Sequence, residues 1–208
     1  MRYRPYRQSG INPIWILIGV NLLIFVAEWI SRTGPGVESS PIYSRFALQP
    51  YDINNLASQP WTLVTYMFLH ADWTHILFNM IALYFLGTFA VYVVGETAFL
   101  VTYFVGGIVG GLFVLLYSSF SPIAGVIGAS GAIFALGGLL MVLRPDIKVM
   151  LFPIPVEMPL WIAILINFVL TTIAAFGGVG IAWQAHLGGL VYGLIIGYYL
   201  RRKQYRRY

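Results

Sequence analysis

The sequence contains no cysteine and few charged residues, and both absences narrow the classes of protein that it can encode. Without cysteine, disulfides, thiolate nucleophiles and cysteine-based metal sites are all excluded. Charged residues make up 9% of the 208 residues, whereas a water-soluble domain normally carries about 25%. Hydrophobic residues account for 59% of the chain. This composition predicts a polytopic membrane protein that is one domain in size.

Positive charge is concentrated at the two ends of the chain. The formal net charge is +5, and eight of the twelve lysine and arginine residues lie in the terminal tails. These eight residues are Arg2, Arg4, Arg7, Arg201, Arg202, Lys203, Arg206 and Arg207. Basic ends that flank apolar segments follow the positive-inside rule for membrane proteins, so the excess charge does not indicate nucleic-acid binding.

Six apolar segments are predicted to be membrane spans. They cover residues 12–30, 73–94, 98–117, 129–143, 158–176 and 183–200. Two basic tails on the same side of the membrane require an even number of crossings, which agrees with six and places both termini in the cytoplasm. The predicted fold class is therefore an all-α polytopic membrane protein with a bundle of six transmembrane helices.

The two longest connections between these spans differ in composition. The outer connection, residues 31–72, includes Tyr43, Phe46 and Trp61, and is predicted to lie in the membrane interface rather than form a structureless linker. The inner connection, residues 144–159, contains four prolines and is predicted to be irregular.

The fourth apolar segment is too short to cross a bilayer. It opens at the sequence G-A-S-G of residues 128–131, and only 14 residues run from Ser130 to Leu143. A helix of that length covers ~21 Å, whereas a bilayer core is ~30 Å thick. Its N-terminus is therefore expected below the membrane surface, and the loop before it, residues 118–127, must dip inward. Irregular backbone at that depth survives only in a protein interior or beside a water-filled cavity, which makes Ser130 a candidate for chemistry.

Four polar side chains fall at the same outer depth of the predicted bundle. Ser130 begins the fourth span from the outside, and His186 lies one turn into the sixth. His75 and Asn79 lie in the first turns of the second span, four residues apart and pointing the same way. Because a polar side chain in a bilayer is costly without a partner, such groups are expected to face each other or a water cavity.

Helical spacing predicts which helix faces meet. In the sixth span His186 shares one face with the glycines at positions 189, 193 and 197. In the fourth span Ser130 shares one face with Phe134, Gly137 and Met141. Small residues at four-residue spacing let helix backbones approach closely. If these two faces meet, the Ser130 hydroxyl and the His186 imidazole lie within hydrogen-bond reach.

This set of side chains suits acyl transfer. A serine hydroxyl is a poor nucleophile until a base takes its proton, and histidine is tuned for that task near neutral pH. The tetrahedral intermediate then needs hydrogen-bond donors, which the Ser130 backbone N–H, the Asn79 amide and the His75 imidazole could supply. No Asp or Glu lies at the level of His186 in spans four to six. A Ser-His dyad, with the imidazole oriented by packing or by stacking on an aromatic ring, is therefore favoured over a triad.

Three motifs in these spans resemble the rhomboid family of intramembrane serine proteases, in its prokaryotic six-helix form. Gly128-Ala129-Ser130-Gly131 is similar to the family's G-x-S-G, residues 185–193 to its A-H-x-x-G-x-x-x-G, and residues 70–79 to its H-x4-H-x3-N. The resemblance covers spans two to six. One departure is Thr62, because many rhomboids have an arginine after the tryptophan of this outer loop, and no role of that arginine is carried over.

The resemblance implies an enzyme that hydrolyses peptide bonds in or next to the transmembrane segments of membrane-protein substrates. It implies Ser130 as nucleophile, His186 as base, and His75, Asn79 and the Ser130 N–H as oxyanion donors. The expected supporting residues are Gly128, Gly131, Phe134 and Gly189. Residues 1–208 are expected to form one domain in the cell membrane, with the lipid bilayer and substrate proteins as partners and with no cofactor, metal or nucleic acid.

Two other functions are compatible with polar residues inside a membrane, namely a transporter and a non-catalytic membrane-protein binder. A transporter predicts inverted repeats and midplane sites, whereas this sequence has no internal repeat and its polar groups lie at outer depth. Zinc and aspartyl protease chemistries lack their residues, since there is no H-E-x-x-H motif and no Asp inside any span. Asn21 and Glu28 in the first span fit none of these functions, and Glu28 is expected to be hydrated at the outer end.

Overall fold

The computed structural model describes residues 12–50, 53–120, 125–150, 156–177 and 180–205, and this part of the chain is mostly helical. Six long helices dominate it: α1 (Pro13–Ser31), α5 (Trp73–Val94), α6 (Glu96–Ser118), α7 (Ser130–Leu143), α8 (Leu160–Phe176) and α9 (Trp183–Tyr205). Three short helices lie between α1 and α5, namely α2 (Pro41–Phe46), α3 (Ile53–Ser58) and α4 (Thr62–Thr65), with 3₁₀ turns at Val37–Ser39 and Tyr66–Phe68. Two short strands, β1 (Lys148–Met150) and β2 (Glu157–Pro159), connect α7 to α8.

Each predicted apolar segment corresponds to one long helix. The bounds agree within two residues except at the end of α9, which continues five residues beyond the predicted residue 200. By length and composition α1, α5 and α6 can each cross a membrane, while α7 and α8 are shorter apolar helices. The protein is therefore an integral membrane protein with a helical bundle. Six crossings and cytoplasmic termini stay predictions, and most of the basic tail residues lie outside the described residues.

Helix α7 is the centre of the bundle. It packs against α5, α6, α8 and α9, and its residues 131–140 are all buried. The closest approach is to α9, where Cβ atoms added at Gly189 and Gly193 would overlap the backbone carbonyl oxygens of Gly131 and Ala135. The two backbones are therefore in direct contact, as the glycine spacing of α9 predicts.

The predicted contact face of α7 is partly wrong. Ser130 and Phe134 do contact His186, but Gly137 lies against Ile164 of α8 rather than against α9. The glycines of α9 rest on the adjacent face of α7, which consists of Gly131, Ala135 and Leu139. The physical reason is that the glycines of α9 pack directly on the backbone of α7, which leaves no space between the two helices for a large side chain. Phe134 therefore lies beside this contact.

The connection between α1 and α5 is a folded segment rather than a loose loop. Its backbone reaches the loop before α7, since Leu48 and Val126 form an antiparallel bridge with N–H···O distances of 3.1 and 2.7 Å. Within the segment, the Trp61 indole donates to the Arg45 carbonyl at 3.0 Å, and the Thr65 hydroxyl donates to the Phe46 carbonyl at 2.8 Å. This segment therefore supplies partners for irregular backbone near the start of α7, which an apolar environment requires.

The inner connection is not irregular throughout, because it contains a short two-stranded sheet within the otherwise helical protein. Strands β1 and β2 pair antiparallel, with Lys148 opposite Pro159 and Met150 opposite Glu157. The prolines suggested that a ladder could not form, but Pro159 lies at the end of β2, where the missing N–H costs little. Residues 151–155, which hold two of the four prolines, lie outside the described residues.

Candidate active site

Ser130 begins α7 at the end of a short segment that is held by backbone hydrogen bonds. Gly128 adopts φ +120°, which side chains disfavour, and its N–H donates to the Tyr66 carbonyl at 2.9 Å. Ala129 supplies no side-chain cap to the helix. Ser130 itself is half-buried.

The side chains of Ser130 and His186 are in direct contact. The Nε2 atom of His186 lies 2.7 Å from the Ser130 Oγ, which is a short hydrogen bond between residues 56 positions apart. His186 is 5% exposed, in the first turns of α9. The close packing of Gly189 on Gly131 sets the separation of the two helices, and therefore brings these side chains to the same level.

The plane of the His186 ring is fixed by aromatic packing. Its ring stacks on Phe134 of α7 with centroids 4.6 Å apart and planes 30° apart. Phe134 in turn makes an edge contact with Phe168 of α8, at 6.0 Å and 84°. The imidazole therefore lies against an aromatic ring one turn after Ser130, as the sequence analysis suggested for a histidine without an acidic partner.

Thr171 of α8 is a contact of His186 that the sequence analysis missed. Its Oγ1 lies 3.3 Å from Nδ1 of His186, the ring nitrogen that faces away from Ser130. A signal for it existed in the sequence, because Asn167 and Thr171 are polar residues four positions apart in a helix whose only other polar side chain is Thr172. That spacing indicates a polar face, but it does not identify which residue the face contacts.

His75 lies beside the loop that precedes Ser130. Its Nδ1 accepts a hydrogen bond from the Ala71 N–H at 3.4 Å, which leaves the ring proton on Nε2. A Cβ built on Gly128 would lie 2.7 Å from that Nε2 and 3.8 Å from the Ser130 Oγ. The Nε2–H is thus a donor on the side of the loop where Ser130 lies, and the absence of a side chain at position 128 makes room for this approach.

Asn79 lies one turn further along α5 and is 6% exposed. Its Nδ2 donates to the carbonyl of His75 at 2.9 Å, so one of its two amide protons is engaged within the helix and the other is available. The structure thus groups His75 and Asn79 on one helix turn, with His75 facing Gly128. Their roles, like those of Ser130 and His186, stay predictions.

The prediction that Glu28 is hydrated is wrong. Glu28 is fully buried, with Oε1 3.5 Å from Arg32 Nη2 and Oε2 accepting from the His70 N–H at 3.4 Å. Arg32 also donates to the Ala71 carbonyl at 2.9 Å. A carboxylate in this apolar layer needs charged and polar partners, and the outer end of α1 supplies them. The pair therefore holds the backbone of residues 70–71, directly before the start of α5.

Two further features define the electrostatics near His75. The His70 ring is fully buried and lies 5.0 Å from the His75 ring in an edge arrangement. Burial, together with the neighbouring His75, lowers the pKa of His70 to about 3, so this imidazole is neutral at physiological pH. Asp72 caps α5 by accepting from the His75 N–H at 2.8 Å, which fixes His75 in the first turn.

In the ranges that the structure describes, no group of three or more His, Asp or Glu could hold a metal ion.

The fold and the site together define the class of this protein. It is an integral membrane protein in which a serine hydroxyl is hydrogen-bonded to a histidine between packed helices. A family model described as the Rhomboid domain matches residues 57–203, which is more than half of the chain. The chain belongs to the rhomboid family. The resemblance seen in the three motifs is thereby confirmed at the level of the family.

Individual relatives agree with this assignment. Rhomboid protein 1, mitochondrial, from Saccharomyces cerevisiae is 29% identical over 201 residues, covering 92% of this chain and 54% of the yeast protein. Putative rhomboid protease YdcA from Bacillus subtilis is 30% identical over 172 residues, covering 81% of each chain. Rhomboid protease GluP from Bacillus subtilis is 35% identical over 143 residues, covering 67% of this chain and 26% of GluP. The chain thus spans about half of the yeast relative and about a quarter of GluP.

Proposed function

We propose that this protein is an intramembrane serine endopeptidase that hydrolyses peptide bonds in or next to the transmembrane segments of membrane-protein substrates. The observation that carries the proposal is the 2.7 Å contact between Ser130 Oγ and His186 Nε2. Membership of the rhomboid family supports the reaction class and the membrane-protein substrates. A transporter or a non-catalytic binder has no need of a serine hydroxyl bonded to an imidazole.

The proposed reaction begins with transfer of the Ser130 hydroxyl proton to Nε2 of His186. The Ser130 Oγ then attacks the carbonyl carbon of the scissile bond and forms a tetrahedral intermediate. The resulting imidazolium gives the proton to the leaving amine, and an acyl-enzyme on Ser130 remains. Water, deprotonated by His186, then attacks the acyl carbon; the ester bond to Ser130 Oγ breaks, the imidazolium returns the proton to this oxygen, and the second product leaves as a carboxylic acid. His186 thus serves as base and then as acid in each half of the reaction.

The negative oxygen of the tetrahedral intermediate needs donors that face it before the reaction starts. We assign this role to the Nε2–H of His75, the Asn79 amide and the backbone N–H of Ser130. The position of His75 supports this assignment, because its Nε2 lies close to Gly128, two residues before the nucleophile. The Ser130 N–H belongs to the first turn of α7, where backbone donors lack partners within the helix.

The proposed membrane arrangement has six crossings, with both termini in the cytoplasm and residues 1–208 forming one domain in the cell membrane. The short α7 supports it, because the start of a 14-residue helix then lies below the outer surface of the membrane. Exposed tryptophans at the outer ends of α1 and α5, Trp29 and Trp73, support an interfacial position for that level.

Gly128→Ala tests the close approach of His75 to the loop. The added methyl group would lie 2.7 Å from His75 Nε2 at a backbone φ of +120°, so both contact and conformation oppose it. We expect turnover to fall by at least about tenfold and stability to fall by about 1–3 kcal/mol. Gly180→Ala is the matched control, since Gly180 has φ +57° and no atom of the described residues lies within 4 Å of an added Cβ. Equal turnover in the two variants would show that the close approach is not needed.

His75→Ala and Asn79→Ala test the oxyanion donors. Loss of one preorganised donor costs about 10²–10³-fold in kcat, and we expect KM to change little because the oxyanion exists only after attack. Cleavage rates of a single-span substrate, measured in detergent over a range of substrate concentrations, separate kcat from KM. Leu77→Ala is the control on the same helix, because Leu77 is 56% exposed. Full kcat in both variants would remove these residues from the proposed mechanism.

The experiment that tests the proposed function is covalent labelling with a fluorophosphonate probe. Purified protein is expected to form one adduct at Ser130, identified by mass spectrometry of the labelled peptide. Ser130→Ala is expected to form no adduct, and His186→Ala to label far more slowly because the hydroxyl keeps its proton. An unlabelled parent protein, or an adduct that persists in Ser130→Ala, would support a transporter or a binder instead.

A further inference from the structure

We propose that Thr171 is a positioning residue that holds His186 in the tautomer able to accept the Ser130 proton. This inference rests on the proposed function, in which His186 is the base. Thr171 lies on α8, whereas the nucleophile and the base lie on α7 and α9. The proton transfer would thus depend on a third helix that contributes no reacting atom.

The argument begins with the two nitrogens of the imidazole. A neutral histidine has one N–H donor and one acceptor nitrogen, and which nitrogen carries the proton depends on the partners of both. To accept the hydroxyl proton of Ser130, Nε2 must be the acceptor, so the ring proton has to be on Nδ1. A group that accepts from Nδ1–H stabilises this tautomer, and in serine hydrolases with a triad a carboxylate has that role. Thr171 Oγ1, at 3.3 Å from Nδ1, is in the corresponding position.

The Thr171 hydroxyl is suited to accept because its own proton has nearer acceptors. Two carbonyl oxygens of α8 are within reach of Oγ1, that of Asn167 at 2.9 Å and that of Phe168 at 3.1 Å. Both are closer than Nδ1 of His186, so the hydroxyl donates to its own helix. Its lone pairs are then left for the Nδ1–H. The opposite arrangement, in which Thr171 donates to Nδ1, would place the ring proton on Nε2, and His186 could not act as a base.

Phe134 alone determines neither the rotation of the imidazole about its Cβ–Cγ bond nor its tautomer. The phenyl ring of Phe134 stacks on the imidazole and fixes its plane. The same stacking is possible when the imidazole is rotated by half a turn about its Cβ–Cγ bond. Such a rotation exchanges the positions of the ring's nitrogen and carbon atoms and removes Nε2 from Ser130. The polar contact with Thr171 distinguishes the two orientations, because only one of them places a nitrogen next to Oγ1. Phe134 and Thr171 therefore have separate tasks.

Thr171→Val tests the inference with little change in volume. The substitution replaces the acceptor by a methyl group, and we expect kcat to fall about tenfold with KM unchanged, the size expected for one neutral hydrogen bond. Thr171→Ser keeps the hydroxyl and is expected to restore kcat to within about twofold of the parent. Thr172→Val is the matched control, because the neighbouring hydroxyl donates to the Phe168 carbonyl at 2.7 Å within the same helix. Equal losses in Thr172→Val and Thr171→Val, or no rescue by serine, would overturn the inference.

Nitrogen NMR of ¹⁵N-histidine-labelled protein gives a second measurement that does not depend on cleavage. The chain has only three histidines, and the His186 signals are those lost in His186→Ala. The parent protein is expected to show a protonated Nδ1 and an unprotonated Nε2, and Thr171→Val a mixture of tautomers. A protonated Nε2 in the parent would overturn the inference even if Thr171→Val failed to fold. Fluorophosphonate labelling of the same parent sample separates the two proposals, since a labelled protein with the wrong tautomer contradicts only the role of Thr171.

Discussion

Replacing His186 by alanine is expected to lower kcat by at least about 10⁴-fold, since removing the serine or the histidine of such a pair costs about 10⁶-fold in kcat. The reason is that His186 Nε2, 2.7 Å from Ser130 Oγ, is the proposed acceptor of the hydroxyl proton. Ser130→Ala should have a similar effect, and the double variant should be little worse than either single one, because the two residues act in the same step. Initial rates of cleavage of a single-span substrate measure all three.

A control separates chemistry from packing in this experiment. Gln184 is also buried in the first turn of α9, at 7% exposure, but it faces a groove lined by Phe113 and Tyr117 rather than Ser130. Gln184→Ala is therefore expected to keep turnover within about twofold of the parent. A retained turnover above about 1% in His186→Ala, or an equal loss in Gln184→Ala, would show that His186 is not the base.

Gly193→Ala is expected to destabilise the protein strongly, because the packing of α9 on α7 leaves no space for a methyl group at this position. The new Cβ would overlap the carbonyl oxygen of Ala135 and lie 2.9 Å from the N atom of Leu139. Both obstacles are backbone atoms of α7, which cannot move aside without separating α7 from α9. We expect the free energy of unfolding to fall by about 3 kcal/mol, and turnover to fall with it because Ser130 and His186 lie on the separated helices.

The matched control for this prediction is Gly19→Ala on α1. Among the residues that the structure describes, no atom lies within 4 Å of a Cβ built on Gly19, so the substitution adds helix propensity without a clash there. It is expected to be neutral or to stabilise the protein by up to about 1 kcal/mol. Unfolding by titration with a denaturing detergent, followed by helical circular dichroism, measures both variants. Similar unfolding curves for Gly193→Ala and Gly19→Ala would contradict the direct backbone contact between α7 and α9.

Much of the bundle could be predicted because its determinants are local. The length of each apolar run fixes the helices, and the bounds of α5 match the predicted residues 73–94. The 14 residues from Ser130 to Leu143 set the length of α7, and the depth of Ser130 and His186 in a membrane stays a prediction. The glycine spacing of α9 identifies the face that makes the closest contact.

The remaining features depend on how helices are rotated and tilted relative to one another, which no local pattern states. A rotation of α7 by a fraction of a turn decides whether Gly137 faces α9 or α8. The prediction placed Gly137 against α9, whereas it lies against α8. Thr171 was missed for the same reason, since its contact with His186 requires the orientation of α8. Arg32 lies four residues after Glu28, so this partner could have been recognised in the sequence. The His70 backbone N–H, in contrast, is brought to Glu28 only by the fold.

The most direct measurement is cleavage of a purified single-span membrane substrate by the parent protein and by Ser130→Ala, with the cut site identified by mass spectrometry of the products. The proposed function predicts that the parent cuts one peptide bond in or next to the transmembrane segment. It also predicts that Ser130→Ala, with an unchanged helical spectrum, is at least about 10³-fold slower. Cleavage at the same bond and at the same rate by both proteins would show that the hydroxyl next to His186 is not the nucleophile.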